Sequence, residues 1–149
     1  MIPNWKMDES GWTLVEMVLT LALVGLLAAL AFPAFAQLGE RVERQLFLNQ
    51  LLAEIRMAQR EAVSRERQVA FEVDRTGRAY RITRGGKVLQ EKRVPNRYHL
   101  KSNYPGNRLH FHPSGQVRGG RFQLYKGEKQ VGEVIVQVAS GRARVEVEW

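Results

Sequence analysis

Two arginines close to the C-terminus, Arg142 and Arg144, are the side chains whose type and spacing point most directly to a binding chemistry. Residues two apart on a β-strand project to the same side, so the two guanidinium groups would lie next to each other. Each can donate a pair of hydrogen bonds to one phosphate, and such contacts are independent of base sequence and sensitive to salt. The same arginines could instead pair with Glu146, Glu148 or a neighbouring strand, or simply keep an exposed face soluble, and the sequence leaves these interpretations open.

The other side chains that could take part in catalysis or metal binding do not form a recognisable site in the sequence. His110 and His112 place two imidazoles on one face of a predicted strand, a spacing that suits a metal, but no third ligand accompanies them. The sequence has no cysteine, and no nucleophile elbow, phosphate-binding loop, carboxylate dyad or Ser/His/Asp order stands out. We therefore expect a protein that is not an enzyme and that needs no cofactor and no metal.

The positive charge of the chain is concentrated after residue 36. The whole sequence has 23 Lys and Arg against 15 Asp and Glu, a formal net charge of +8. One basic residue, Lys6, precedes Gln37, and so do three acidic residues, Asp8, Glu9 and Glu16. The part from Gln37 onward therefore has 22 basic and 12 acidic residues, a net charge of +10. A surplus of this sign favours polyanionic partners such as nucleic acid, wall polymers of the teichoic type or anionic lipid head groups.

A long apolar segment lies upstream of the basic part. Residues 17–38 read MVLTLALVGLLAALAFPAFAQL, and no charged residue occurs between Glu16 and Glu40. About 20 apolar residues in a helix span the roughly 30 Å hydrocarbon core of a bilayer, so we predict a membrane-spanning helix. Residues 34–36 (AFA) have the small-x-small form of a signal-peptidase site, and a secretory signal peptide and a plain single-span anchor are the alternatives. The scarcity of basic residues before the apolar run, and Glu16 at its start, argue against a signal peptide.

The segment around the start of the apolar run resembles the prepilin motif of type IV pilins and pseudopilins. Residues 11–16 read GWTLVE, where the family has Gly, an aromatic residue that is usually Phe, then Thr, Leu, an aliphatic residue and Glu. The resemblance implies that a membrane prepilin peptidase cuts between Gly11 and Trp12 and methylates the new N-terminus at Trp12. It also implies that Glu16 meets the N-terminal amine of a neighbouring subunit during assembly, because a buried carboxylate and a buried ammonium are each costly alone and tolerable as a pair. Trp12 in place of Phe departs from the family pattern, and Pro33 falls where many members have a helix-loosening proline.

The end of the chain resembles the C-terminal region of the minor pilins and pseudopilins called GspH, FimT and ComGD. In the FimT branch an element of the form Gly-Arg-x-Arg is associated with DNA binding, and Gly141, Arg142 and Arg144 match it. The short leader, the stretch QREAVSRERQVAF at residues 59–71 and the ending SGRARVEVE are most similar to ComGD, a competence minor pilin. Further basic residues that could assist a DNA contact are Arg118, Arg121, Lys126 and Lys129.

Hydrophobic periodicity predicts that one helix continues from the membrane segment to about Arg67. Apolar residues recur mostly at three- and four-residue intervals, and charged residues, Glu54 and Arg56 among them, fill the other face. The predicted apolar stripe comprises Val42, Leu46, Leu48, Leu51, Leu52, Ile55, Ala58, Ala62 and Val63. We expect this stripe to pack under the rest of the domain.

Beyond Gln68 the pattern changes to short alternating runs separated by Gly, Pro and Asn. Strands are predicted at residues 69–73, 79–83, 88–92, 98–101, 108–112, 121–125, 132–139 and 142–148. The fold class expected is α+β: a long helix, hydrophobic and then amphipathic, packed against an antiparallel β-sheet head of the pilin-like GspH/FimT type. The corresponding segments are a leader peptide (1–11), a transmembrane assembly half of the helix (12–36), an amphipathic half (37–67) and a β-rich extracytoplasmic head (68–149).

The expected function is that of a minor pilin of a competence type IV pilus, processed by prepilin peptidase and assembled into a filament that takes up external DNA in transformation. The alternative is a structural type II secretion pseudopilin of the GspH type that makes no DNA contact. Expected partners are other pilins or pseudopilins of the same filament, the peptidase, the assembly platform protein with its ATPase, double-stranded DNA and, before assembly, the membrane. The expected location is the cell membrane, with a single span and an extracytoplasmic head, and the cell surface after assembly.

Overall fold

The computed structural model describes residues 13–137 and 143–146. The chain divides into two compact units, residues 1–42 and 43–149. Four residues of the predicted sites, Gly11, Trp12, Gly141 and Arg142, lie outside the described residues.

The first unit, as far as it is described, is the N-terminal part of helix α1 (Leu14–Ser64). Its apolar side chains are uncovered; Leu27 is 65% and Phe32 is 76% exposed. An 18-residue window of the helix has a mean hydropathy of 2.4 and is long and apolar enough to cross a membrane. Pro33 lies inside the helix, where it has no N–H to donate to the carbonyl four residues earlier. An apolar surface of this extent is typical of a helix that packs in lipid or against other apolar helices.

Helix α1 ends at Ser64, slightly before the predicted end near Arg67. Glu66 adopts a left-handed conformation with a φ of 51°. The N–H of Glu66 donates to the carbonyl of Val63 at 3.3 Å, and the N–H of Arg67 donates to that of Ala62 at 3.2 Å. These two bonds form the Schellman arrangement, which satisfies carbonyls at the end of a helix and usually has Gly at the left-handed position.

Eight strands follow α1 in the described part of the chain, with a short 3-10 helix at Pro105–Asn107 before the fifth. They are β1 (Val69–Val73), β2 (Ala79–Arg84), β3 (Lys87–Arg93), β4 (His99–Ser102), β5 (Arg108–Phe111), β6 (Gly120–Lys126), β7 (Lys129–Val136) and β8 (Ala143–Glu146). They form two antiparallel sheets, sheet A in the order β3-β2-β1-β5 and sheet B in the order β4-β6-β7-β8. Each predicted strand overlaps an observed one, and the expected class of a long helix with an antiparallel head is confirmed.

Both sheets and the second half of α1 contribute to one core within the second unit. Phe71 of β1 stacks on Tyr80 of β2 and meets Phe122 of β6 edge-on, with 5.1 Å between ring centroids in both contacts. Aromatic packing therefore joins sheet A to sheet B. From the helix the core receives Phe47, Leu48, Leu51, Ile55, Ala58 and Ala62. Three positions of the predicted apolar stripe are exposed instead: Val42, Leu46 and Val63.

Two other helix residues are buried although they lie outside the predicted apolar stripe. Phe47, which the stripe did not include, is 6% exposed, and so is Glu54, which was expected on the charged, solvated face. The Glu54 carboxylate accepts hydrogen bonds from Lys92 of β3 and from Gln50, the latter at 3.1 Å. Burial of a carboxylate is tolerable when a cation pairs with it. The cation here comes from a strand 38 residues further along the chain, which no helical pattern can reveal.

Candidate nucleic-acid interface

The predicted arginine element consists of Gly141, Arg142 and Arg144, of which Arg144 is described by the structure. Strand β8 places Arg144 at the edge of sheet B. Ala143 is 3% exposed, whereas the side chains of Arg144 and Glu146 are 60% and 47% exposed. The neighbouring strand β7 places Ile135 opposite Arg144. Over residues 143–146 the predicted alternation is therefore found, with Arg144 on the face that points away from the core.

Arg121 lies in the same cross-strand row as Arg144. In sheet B, Arg121 of β6 is opposite Ile135 of β7, and Ile135 is opposite Arg144 of β8. Neighbouring strands are about 4.8 Å apart, so the Cα atoms of the two arginines are separated by roughly 10 Å. The sheet thus adds a cation from another strand to the face that presents Arg144.

Both arginines of this row are ion-paired within the protein. Arg144 Nη2 is 2.8 Å from Glu146 Oε1, and Arg121 Nη1 is 3.5 Å from Glu133 Oε2. The pairing with Glu146 is one of the interpretations that the sequence left open, and it is present. In the pair of Arg144 with Glu146 both side chains are largely exposed, and a pair of this kind contributes about 0–1 kcal/mol to stability. The guanidinium group of Arg144 can therefore exchange its carboxylate partner for a phosphate with little loss of stability.

Helix α1 and strand β7 hold β8 in place. Nη2 of Arg56 donates to the carbonyl oxygen of Ala143 at 3.0 Å. Gly132 of β7 permits a close approach, because a Cβ at that position would lie 3.3 Å from the carbonyl oxygen of Glu146. The backbone on either side of Arg144 is thus positioned by residues outside the arginine element. Arg56 was not among the predicted site residues, since one arginine on a charged helix face has no signal that separates it from its solvated neighbours.

The other basic residues that were expected to assist are dispersed. Lys126 and Lys129 face each other at the β6–β7 turn. At about 3.4 Å per residue, Lys126 is roughly 17 Å along β6 from Arg121. Arg118 precedes β6. Among the described members of this set, Arg121 is the one that joins Arg144 in a row.

A histidine–tyrosine pair lies on the same face of sheet B and was not anticipated. The rings of His99 and Tyr125, which are opposite each other on β4 and β6, stack with 5.5 Å between centroids. Lys101 Nζ lies 4.5 Å from the centroid of the Tyr125 ring. Burial lowers the pKa of His99, and the charges of Lys101 and Arg78 lower it further. His99 is therefore neutral near pH 7 and adds no charge to this face.

The described part of the prepilin-like motif starts α1 with a capping arrangement. Thr13 precedes the helix, and its Oγ1 accepts a hydrogen bond from the N–H of Glu16 at 3.2 Å. This is the side-chain-to-backbone half of a capping box, for which the Thr-x-x-Glu spacing is the sequence signal. A carboxylate in the first turn is also favoured by the helix dipole. Thr13 was missed as a positioning residue, although its spacing from Glu16 could have identified it.

His110 and His112 have separate hydrogen-bond partners. Nδ1 of His110 is 3.0 Å from Gln68 Nε2, and Nδ1 of His112 is 3.0 Å from Ser114 Oγ. Within residues 13–137 and 143–146, no three His, Cys, Asp or Glu side chains are grouped so as to hold a metal ion. The two imidazoles therefore act as local hydrogen-bonding groups beside sheet A.

Comparisons with known proteins identify relatives of this chain. A family model described as "Type II transport protein GspH" matches residues 48–147. The type IV minor pilin FimU of Pseudomonas aeruginosa has a similar structure, with a TM-score of 0.57 and 19% identity over 68% of this chain and 91% of that chain. The minor pseudopilin EpsH from the type 2 secretion system of Vibrio cholerae gives a TM-score of 0.58 at 12% identity, over 70% of this chain and 96% of that chain. No curated protein matches the sequence. At these identities the structural likeness shows the fold.

Proposed function

The chain belongs to the GspH family of type IV pilin-like proteins, and on that premise we propose that it is a minor pilin of a competence type IV pilus whose head contacts external DNA. The coarser function, that of a minor pilin or pseudopilin of a type IV pilus or a type II secretion system, follows from the family and the fold. The observation that supports the DNA contact is the row of Arg121 and Arg144 on the outer face of sheet B. Both side chains are about half exposed or more, at 51% and 60%.

The proposed DNA contact is made by arginines on one face of the closing strand. Alternation along β8 would put Arg142 on the same side as Arg144, with Gly141 before it at the turn. Together with Arg121, these side chains would give three guanidinium groups that can each fork onto a phosphate oxygen pair. Contacts of this kind suit uptake of DNA of any sequence, because they do not read the base edges.

Processing and assembly are proposed to follow the prepilin motif. A prepilin peptidase would remove residues 1–11 by cutting between Gly11 and Trp12, and would methylate the amine of Trp12. The apolar part of α1 would hold the subunit in the cell membrane as a single span with the head outside the cytoplasm, until the platform protein and its ATPase move it into a filament at the cell surface. The exposed apolar side chains of α1, and Pro33 inside the helix with no N–H to donate, support this step.

Glu16 is proposed to pair with the N-terminal amine of a neighbouring subunit in that filament. Thr13 caps its backbone N–H, so the first turn of α1, from which the Glu16 carboxylate projects, is fixed by a local hydrogen bond. Desolvating either charge alone is expensive, so a subunit docked in the wrong axial stagger would leave both unpaired. The pair would therefore select the correct stagger.

Mass spectrometry of the mature protein tests the processing step. Full-length protein is co-expressed with a prepilin peptidase and extracted in detergent. We expect a methylated N-terminus at Trp12 and no cleavage in a Gly11→Val variant. A mature N-terminus at Gln37 would show signal-peptidase cleavage and would refute the pilin assignment of the N-terminal segment.

DNA binding by full-length protein in detergent micelles tests the proposed interface. Fluorescence anisotropy with a labelled duplex is measured for the wild type and for the variant Arg142→Ala with Arg144→Ala. The charge-matched control is Arg93→Ala with Arg97→Ala, two exposed residues at the end of β3 and in the connection that follows it. Removal of one arginine–phosphate interaction should lower the slope of log K against log salt by about 0.9. We expect a slope lower by about 2 for the first variant and unchanged for the control, together with a loss of natural transformation in the first variant only. If wild-type protein leaves the duplex unbound at low salt, the competence function is refuted.

A type II secretion pseudopilin without DNA contact is the second candidate. The match to the GspH family model and the likeness to EpsH favour it. In that case the ion pair between Arg144 and Glu146 would be the permanent state of the strand. The Arg142→Ala, Arg144→Ala variant would then support secretion and transformation at wild-type levels, whereas deletion of the gene would abolish secretion of a type II substrate.

A further inference from the structure

A groove with a volume of about 560 Å³ lies on the outer face of sheet A, away from Arg144 on sheet B. Its lining includes three arginines, Arg67, Arg81 and Arg108. Ala70, the small side chain that also lines it, is 8% exposed. We call this feature the sheet A groove.

Two of these arginines are arranged around one carboxylate. Glu72 of β1 is opposite Arg81 of β2 on one side and Arg108 of β5 on the other, so the three residues form a row across three strands. Arg81 donates from Nε and Nη2 to both carboxylate oxygens, at 3.2 and 3.0 Å, and Arg108 Nη2 donates to Oε2 at 2.8 Å. The side chain of Glu72 is 15% exposed, whereas those of Arg81 and Arg108 are 49% and 46% exposed. The carboxylate is therefore sheltered, and the two guanidinium groups reach the solvent.

This arrangement leaves hydrogen-bond donors available. A guanidinium group has five N–H donors, and Glu72 accepts from two of the nitrogens of Arg81 and one of those of Arg108. Held in position by the carboxylate, each group loses less conformational entropy when it binds a phosphate than a free arginine would. The Cα atoms of the two arginines are two strands, or about 10 Å, apart. They can therefore engage different phosphate groups of one backbone.

The charge balance of the groove favours an anion. Hydrogen bonds from Arg81 hold the pKa of Glu72 below its usual range and outweigh its burial, and Arg108 adds to this effect, so the carboxylate stays ionised. One carboxylate then faces three arginines in the lining of the groove. Glu91, which is opposite Arg81 on β3, and Asp74 line an adjoining cavity of about 570 Å³ that shares Glu72 and Arg81 with the groove, and neither of them lines the groove itself.

We propose that the sheet A groove is a second contact surface for the phosphate backbone of double-stranded DNA, on a different sheet from the arginine element of β8. Arg81 and Arg108 contact phosphates directly, and Arg67, which also lines the groove, adds a third cation. Two surfaces on one subunit would hold a duplex more firmly than either alone, because the second contact is made at a high effective concentration. The choice of DNA as the polyanion rests on the proposed function, whereas the anion-binding geometry rests on the groove itself.

Salt-dependent binding of a labelled duplex by full-length protein in detergent micelles tests the groove. The variant is Arg81→Gln with Arg108→Gln, and the charge-matched control is Arg60→Gln with Arg97→Gln, on exposed residues of α1 and of the β3–β4 connection. Removal of two arginine–phosphate interactions lowers the salt slope by about 1.8. The wild type should therefore lose roughly tenfold more affinity than the groove variant when salt rises from about 50 to about 200 mM. The control should keep the wild-type slope.

A third variant removes the ambiguity of misfolding. Glu72→Gln combined with Arg81→Gln and Arg108→Gln leaves no unpaired carboxylate in the row, and its melting temperature reports whether the head is folded. A folded triple variant with the wild-type salt slope would overturn the proposal. Absence of binding by the wild type would also overturn it, and would refute the proposed function as well. Wild-type binding with an unaffected groove variant would leave the competence function standing and remove only the groove.

Discussion

Replacement of Gly77 by alanine should destabilise the head more than a turn glycine normally does. Gly77 lies between β1 and β2 with a φ of +70°, and a Cβ there would be 2.3 Å from the carbonyl oxygen of Leu100 and 3.0 Å from its nitrogen. The backbone of Leu100 in β4 is this close because its N–H donates to the Gly77 carbonyl at 2.8 Å. This bond ties the β1–β2 connection of sheet A to an edge strand of sheet B.

Two effects add in the Gly77→Ala variant. The left-handed conformation costs an alanine about 1–2 kcal/mol, and relief of a clash with fixed backbone atoms costs about 1–3 kcal/mol more. Gly127 provides the matched control, because it has a φ of +59° and no atom of the described residues lies within 4 Å of a Cβ built there. Gly127→Ala should therefore cost only the conformational part, about 1–2 kcal/mol.

Thermal unfolding of full-length protein in detergent, followed by circular dichroism of the β-structure, separates the two effects. For a domain of this size about 1 kcal/mol corresponds to a shift in Tm of roughly 4–8 °C. We expect the Tm of Gly77→Ala to fall below that of Gly127→Ala by at least that amount. Equal shifts for the two variants would refute the close approach of Leu100 and, with it, the tie between the two sheets.

Three further predictions concern charged residues. Lys92→Met should destabilise the head by about 1–3 kcal/mol, because it leaves the buried Glu54 carboxylate without its cation. The loss is smaller than for a fully buried pair because the Lys92 side chain is 37% exposed, and adding Glu54→Gln should recover part of it in denaturant unfolding. The hydrogen bonds from Arg81 hold the pKa of Glu72 low, so Glu72 stabilises the fold above about pH 4 and this contribution is lost as pH falls through the folded-state pKa. The Tm of Glu72→Gln should therefore fall less steeply than that of the wild type in this acid range, and parallel curves would contradict the assignment. Glu66→Gly should raise the stability of the head by up to about 1 kcal/mol, since glycine adopts the left-handed C-terminal position of α1 without strain, and a lower Tm would argue against that conformation.

The elements of the fold could be predicted because their signals are local. The helix follows from apolar residues at three- and four-residue spacing, and the strands follow from alternation between turn residues, so both depend on neighbours within a few positions. The end of α1 was misplaced by a few residues because Glu66, a residue without a preference for the left-handed conformation, terminates it. No signal in the sequence indicated that the strands would divide into two sheets, since pairing of β1 with β5 joins segments separated by three intervening strands.

The candidate sites show the same division between local and non-local information. The prepilin-like motif and the alternating arginines of the predicted last strand are contiguous sequence patterns, and they could be found by reading along the chain. The position of Arg121 beside Arg144 depends on register across β7. The row of Arg108, Glu72 and Arg81 depends on three strands that are brought together only in sheet A.

By itself the sequence determined the class of protein and the approximate positions of the helix and strands, because both depend on the order of adjacent side chains. For the same reason it predicts which residues a prepilin peptidase would recognise. Tertiary structure decided which charged side chains are buried in ion pairs and which reach the solvent, where a partner could contact them. Glu54 is buried because Lys92 arrives from β3, and Arg81 and Arg108 are held at the surface because Glu72 lies between them. The energy of a charge depends on its distance from other charges and on its exposure to water, and both quantities are set by the folded chain.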